Sequence, residues 1–300
     1  MGGATSFTSL PNIDISGLRS QDLAERQRVA GEIGKAAGEV GFFYVSGAGV
    51  DDTLFERMLT ATKQFFGLPL EEKMRYYIGL SKCHRSYVPS GEEGLATGMP
   101  EMKEAFDTAL DLPDNDADYL AGNPMLGAEH MAGAGWLRRS GERLLPGGAR
   151  CRPPLAVGVR GSARKIPIRS PSTQPRRRAS CASSTTRTTP TPVDCEGIGA
   201  HTDYECFTLL RPTAPGLEVL NGAGEWIDVP PLPGTFVVNI GDMLELWTNG
   251  AFVATSHRVR KVRRTLFVPT VLQRRLPHRG ETVAAVRLSR RRAAARIACG

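Results

Sequence analysis

The chain has 300 residues, 41% hydrophobic and 23% charged, enough for one large or two modest domains around a sizeable core. No apolar run approaches the ~18–20 residues of a membrane span, and Met1–Leu10 lacks the charged-then-apolar layout of a signal peptide. The net charge of +7 is unevenly held: 128–191 carries 13 Lys+Arg against 2 acids, 264–300 carries 9 against 1, and the other 199 residues sum to −12. Six cysteines without a CxxC pair indicate neither a zinc cluster nor a disulfide framework, so reduced thiols and a cytoplasmic protein are expected.

The first 127 residues read as a mixed α/β region. Pro11–Ile15 alternates as a short strand, and the stretch from Ser20 or Gln21 to Val40 has helical spacing through Leu23, Val29, Ile33 and Ala37. Gly41–Val45 is an aromatic, β-branched strand stopped by Gly47. Thr53–Phe66 and Leu70–Tyr76 are amphipathic helices separated by the Gly67-Leu68-Pro69 break, and Met102–Leu112 alternates as a further strand.

From Ala128 the apolar periodicity fades into Arg, Ser, Thr, Pro and Gly, a composition that predicts disorder over 128–191. Order returns over 192–264. Short strands are predicted at Gly197–Leu210, Leu217–Val219, Trp226–Val229, Thr235–Ile240 and Phe252–Val262, with Pro-Gly and Asn-Gly turns between them. That rhythm belongs to an antiparallel sandwich or barrel. Residues 265–300 form an Arg/Ala-rich tail, predicted to be irregular.

His201-Thr202-Asp203 puts an imidazole and a carboxylate two residues apart, on one face of a strand. His257 follows 54 positions later in another apparent strand. Two histidines and one carboxylate on one face of a metal leave its other positions open, the arrangement of non-haem Fe(II) oxygenases. Other candidates have plainer readings. His84 reads as a loop residue near the mouth of the site, and Glu92-Glu93 as a solvated loop. Asp242 reads as the turn ending a strand and Cys206 as core packing, while His130 and His278 fall in the anomalous segments.

Around the three ligands run Gly197–Tyr204, Gly216–Val219, Val238–Leu244, Trp247–Gly250 and His257–Val259. With Ile13-Asp14-Ile15, Gly41–Val45 and Phe65-Phe66 upstream, their order and spacing resemble the isopenicillin N synthase-like family of Fe(II)/2-oxoglutarate-dependent oxygenases. The resemblance covers about 1–127 and 193–264. It implies a double-stranded β-helix (jelly roll) core with an N-terminal region of helices and strands, and Fe(II) held by His201, Asp203 and His257. It further implies 2-oxoglutarate and O2 as cosubstrates in the hydroxylation, desaturation or cyclisation of a small molecule. A monomer is expected, with no nucleic-acid or membrane partner. The alternatives are a 2-oxoglutarate-independent oxidase of the same family, a catalytically dead jelly-roll binding protein, and an Arg-armed nucleic-acid binder.

Two family features are missing: a Tyr-Pro pair on a strand upstream of His201, and an Arg-x-Ser about ten residues after His257 whose Arg would pair with the far carboxylate of 2-oxoglutarate. The cofactor-binding residues are therefore unassigned. Codon degeneracy suggests a cause. Ser180–Arg187 can be encoded so that reading one base earlier gives Gln-Leu-Arg-Leu-Leu-His-Tyr-Pro. Thr265 onward, read one base later, can give Arg-Tyr-Ser-Phe-Pro, and 128–138 likewise yields a family-like run. The basic segments 128–191 and 265–300 are thus read as frame-shifted translations of an ordinary family member, which would leave this chain weak or inactive.

Overall fold

The computed structural model describes residues 5–81, 85–92, 103–109, 115, 120, 180–187, 197–260, 264–267, 270 and 271. The chain opens with strand β1 (Asn12–Asp14), a 3-10 turn at Ser16–Arg19, helix α1 (Leu23–Glu39) and strand β2 (Phe42–Ser46). Helices α2 (Asp52–Phe66) and α3 (Leu70–Met74) follow, then strands β3 (Ser86–Val88) and β4 (Lys103–Ala109). Asp22 and Asp51 cap α1 and α2, their carboxylates accepting from the Ala24 and Thr53 amides at 2.9 Å. The capping side chains explain why each helix starts where its apolar stripe does.

The later strands are β5 (Ser180–Arg187), β6 (Ile198–His201), β7 (Phe207–Leu210), β8 (Leu217–Leu220), β9 (Trp226–Asp228) and β10 (Phe236–Ile240). Helix α4 (Asp242–Trp247) precedes β11 (His257–Val259), β12 (Arg264–Phe267) and β13 (Thr270–Val271). A large sheet has the order β1-β2-β10-β7-β13-β5-β4-β3, with β12 also paired to β5, and a smaller sheet runs β6-β11-β8-β9. Facing each other, they form the jelly-roll core expected from the sequence.

Alternation along the strands sorts side chains to the two faces of the large sheet. Val238 and Ile240 of β10 look outward onto Val29, Ile33 and Ala37 of α1, whereas Val237 looks inward onto Leu217 and Val219 of the smaller sheet. A third cluster packs Phe65 and Phe66 of α2 under Tyr87 and Phe106 of β3 and β4. Each fully buried side chain of this kind contributes ~1.5–3 kcal/mol. Gly41 turns the chain into β2 at φ +74, and a Cβ there would lie 2.2 Å from the Val253 carbonyl oxygen.

Several expectations change. Ser180–Arg187 lies in the segment whose composition predicts disorder, yet it forms a strand between β4 and β13. Arg264–Phe267 and Thr270–Val271 are likewise paired strands at the start of a tail read as irregular. Ladder hydrogen bonds come from the backbone, so a strand can hold where the side chains give no apolar pattern. Asp242 opens a helix instead of ending a strand in a turn. Of the long strand read over Phe252–Val262, the described residues, which end at Arg260, form a strand at His257–Val259, and Gly197–Leu210 divides into β6 and β7. The remainder of 128–191 and of the tail lies outside the described residues. Among the described residues, no helix is long and apolar enough to cross a membrane.

Candidate metal centre

His201 ends β6 and His257 begins β11, where the two are direct cross-strand partners. Asp203 follows two residues after His201, past the end of the strand. One ligand atom from each of the three lies within 4.8 Å of the others. Asp203 Oδ1 is 3.5 Å from His201 Nε2 and 3.7 Å from His257 Nε2.

The atoms that do not converge are tied elsewhere. His201 Nδ1 lies 2.8 Å from the Gly199 carbonyl and His257 Nδ1 3.4 Å from that of Thr255. A carbonyl only accepts, so an Nδ1 bonded to it carries a proton, and in the neutral ring that leaves the Nε2 lone pair facing the centre. Asp203 Oδ2 accepts from Thr208 Oγ1 at 2.5 Å and from Asn239 Nδ2 at 2.7 Å, leaving Oδ1 free to turn toward the imidazoles. Thr208 and Asn239 are themselves cross-strand partners on β7 and β10. The large sheet therefore orients a carboxylate that belongs to the loop of the smaller one. Phe42 of β2 closes the side, its ring edge-on to His257 at 5.0 Å.

The Asp203 carboxylate is held charged and His257 neutral, as a cation requires, whereas the metal-free arrangement favours a proton on His201 that an ion would displace. Burial would raise the Asp203 pKa, but hydrogen bonds from His201, Thr208 and Asn239 and the charge of His257 overcome it and hold the carboxyl below its ordinary range. Burial pushes His257 down to about 4, against the pull of Asp203. For His201, burial is outweighed by the Asp203 and Gly199 hydrogen bonds, and its pKa rises. A carboxylate and two imidazoles with aimed nitrogens form a donor set of borderline hardness that fits Fe(II).

The structure thus brings the three predicted ligands together. Cys206 is buried in the core and in no disulfide, as expected, and Glu92 is exposed and accepts from the Tyr77 hydroxyl. His84, Glu93, His130 and His278 lie outside the described residues. Sequence reasoning missed the roles of Thr208, Asn239 and Gly241. A Cβ on Gly241 would sit 2.1 Å from the Glu205 carbonyl oxygen and 2.9 Å from that of Asp203, so only glycine lets this turn pass beside the ligand loop.

The register also shows where the two missing features would fall. Asn239 pairs with Thr208, Thr208 with Val271, Val271 with Ser180 and Ser180 with Ala109. Directly opposed residues share a face, so positions 180, 182, 184 and 186 of β5 lie on the inner face of the large sheet. Position 265 pairs with 186 and position 267 with 184, which puts both on that face. In the shifted readings a tyrosine falls at position 186, an arginine at 265 and a serine at 267; the chain has Thr186, Thr265 and Phe267.

Comparisons with known proteins agree with this architecture. Residues 10–131 match the family described as the N-terminal region of non-haem dioxygenases in morphine synthesis, and residues 181–288 match the 2OG-Fe(II) oxygenase superfamily. The second match reaches past the 193–264 over which the motifs are legible, and 132–180 falls outside both. A homoarginine-6-hydroxylase of Glycine max is 34% identical over 282 residues, covering 85% of this chain and 82% of the relative. A 2-oxoglutarate-dependent dioxygenase of Aspergillus niger is 32% identical, covering 83% and 79%. Among solved structures, a 2OG-Fe(II) oxygenase family protein of Caulobacter crescentus superposes with a TM-score of 0.67 at 24% identity, covering 89% of this chain and 87% of that one. A dioxygenase for auxin oxidation from rice gives 0.63 at 25% identity, covering 88% and 83%. The chain belongs to the 2OG-Fe(II) oxygenase superfamily, as a non-haem dioxygenase whose chemistry draws on Fe(II), 2-oxoglutarate and O2.

Proposed function

We propose that His201, Asp203 and His257 are the Fe(II) ligands of a dioxygenase that oxidises a C–H bond of a small molecule. The observation that carries this is the division of labour at the site. Nε2, Oδ1 and Nε2 converge, while both Nδ1 atoms and Oδ2 are held by partners that fix their direction. Bound Fe(II) supplies the oxidising chemistry with O2 and 2-oxoglutarate. The chain's own work is to hold the ion from one side, to aim both Nε2 atoms at it, and to close the His257 side with Phe42. Three relatives, from Glycine max, Oryza sativa and Arabidopsis thaliana, are homoarginine-6-hydroxylases, so homoarginine is the first substrate to try. A monomer working in the cytoplasm is part of the same proposal.

Fe(II) titrated anaerobically into the purified chain, followed by calorimetry, tests the assignment. Saturable binding that is lost in both His201→Ala and Asp203→Ala is expected; binding unaffected by either overturns it.

We further propose that 128–191 and 265–300 are out-of-frame translations, so that the N-terminal region 1–127 and the jelly-roll part 192–264 carry the family's sequence. Support comes from the basic composition of those segments and from 132–180 falling between the two family matches; the matches themselves run on through 128–131, 181–191 and 265–288, which counts against the outer parts of the reading. The register adds to it: the tyrosine, arginine and serine of the shifted readings, at positions 186, 265 and 267, would share the inner face with the ligand-holding residues. An unbroken resequencing of the coding DNA would overturn this reading.

A further inference from the structure

Helix α1 runs out at Val40, so the carbonyls at its end must be satisfied from outside the helix. The Val40 and Gly41 amides both go to the Ala36 carbonyl, and the carbonyls of Ala37 and Val40 are met from the far end of the chain. The Val253 amide donates to Ala37 at 3.0 Å, and Thr255 Oγ1 donates to Val40 at 2.6 Å. Thr255 is 4% exposed, and its own carbonyl faces His257 Nδ1. Gly41 permits this approach, since a Cβ there would also lie 2.4 Å from Thr255 Oγ1. The next residue, Phe42, is the cross-strand partner of Asn239 and sets its ring edge-on to His257.

The two imidazoles are held unequally. His201 Nδ1 sits 2.8 Å from its carbonyl partner, whereas the 3.4 Å of His257 Nδ1 is outside the range of a strong bond. The direction of the His257 ring therefore depends on what fixes Thr255 and on what packs against the ring itself. Both come from the junction of α1 and β2, with Val40 lying 215 positions before Thr255. We propose that Thr255, anchored on Val40, and Phe42 are the positioning residues of His257, so that the N-terminal region completes the metal centre of the jelly roll. The proposal rests on the metal-centre reading above. An imidazole that is free to swing must be ordered when the ion arrives, and that ordering is subtracted from affinity.

The test uses the full chain without oxygen and reads binding and ligand geometry rather than turnover. Fe(II) is titrated into the unmodified chain and into His257→Ala. No binding by the first, or undiminished binding by the second, overturns the metal-centre reading and the proposal with it. Thr255→Val removes the anchoring hydroxyl, and Phe42→Leu removes the ring edge. Each is expected to lower Fe(II) affinity by about 10–100-fold, and Thr255→Ser to retain most of it. With Co(II) as a spectroscopic probe, both variants are expected to shift the visible absorption of the bound ion toward that of His257→Ala. Tyr44→Phe is the control for general loosening, because it deletes another hydroxyl–carbonyl bond of 2.6 Å, to Pro230, in the same apolar cluster as Phe42. Affinity and spectrum unchanged in both Thr255→Val and Phe42→Leu overturn the proposal, as does an equal loss in Tyr44→Phe. Loss in one of the two alone assigns the positioning to that residue and overturns the part given to the other.

Discussion

His201 and His257 are direct cross-strand partners, with ring centroids 4.3 Å apart. Their spacing depends on backbone pairing between β6 and β11, whereas the carboxylate between them is aimed by a different sheet. Partners that orient a metal ligand typically change affinity by ~10–100-fold when removed. Asn239→Ala is therefore expected to weaken Fe(II) binding by about that factor, with little change in thermal stability of the metal-free chain. Calorimetric titration beside a melting curve checks both.

Gly241 offers a sharper steric test. Its missing Cβ leaves room for the Asp203 and Glu205 carbonyl oxygens, which are backbone atoms and cannot swing aside. Gly241→Ala is expected to displace the ligand loop and reduce Fe(II) affinity at least as much as Asn239→Ala. Undiminished affinity would show that the loop relaxes at no cost.

Lys73 and Glu104 form an ion pair buried at 1% and 4% exposure. Breaking such a pair by removing one partner costs ~3–5 kcal/mol, because the other charge stays buried without its counter-ion. Lys73→Met and Glu104→Met are each expected to destabilise by about that amount, and the double variant Lys73→Met/Glu104→Met by less than their sum. Chemical denaturation of the four proteins gives the answer.

Much of this was legible from the residues. The apolar stripe of α1 and the aromatic run of β2 are local patterns, and the three candidate ligands, which the fold brings together, stand in an HxD and one later histidine. What was not legible is non-local. Strand β5 has no apolar alternation and exists through the β4, β12 and β13 backbones, so Ser180–Arg187 read as disordered. Helix α4 has six residues, too few to show a period, so Asp242 read as a turn. Thr208 and Asn239 are ordinary strand residues until the fold brings Asp203 between them. Lys73 and Glu104 lie 31 positions apart, and only the packing of α3 on β4 makes them a pair.

Tyr44 gives a pH dependence. Burial between the sheets pushes its pKa up to about 12, and its hydroxyl donates to the Pro230 carbonyl at 2.6 Å. The folded state thus favours the neutral phenol. Its contribution is fully present below the ordinary tyrosine pKa of ~10 and is lost as the pH rises through the folded value. Tyr44→Phe is expected to be less stable than the unmodified chain by ~1 kcal/mol near neutrality, with the gap closing as the pH is raised toward 12. A gap that stays constant would show that the phenol ionises equally well in both states.

Positions 186, 265 and 267 allow a gain-of-function test of the frame reading. Thr186→Tyr/Thr265→Arg/Phe267→Ser is expected to bind 2-oxoglutarate about 10–100-fold more tightly than the unmodified chain, as an Arg–carboxylate pair would supply. Succinate formation with Fe(II) and ascorbate should rise with it from a weak or absent baseline. Robust succinate formation by the unmodified chain would show that the shared inner face does not need those side chains.

The most direct measurement is X-ray absorption at the iron edge of the Fe(II)-loaded chain and of its His257→Ala variant. Two imidazole nitrogens and carboxylate oxygen around the ion are expected, with one imidazole lost in the variant. An unchanged imidazole count, or an ion without imidazole ligands, would contradict the assignment of His201, Asp203 and His257 as the metal centre.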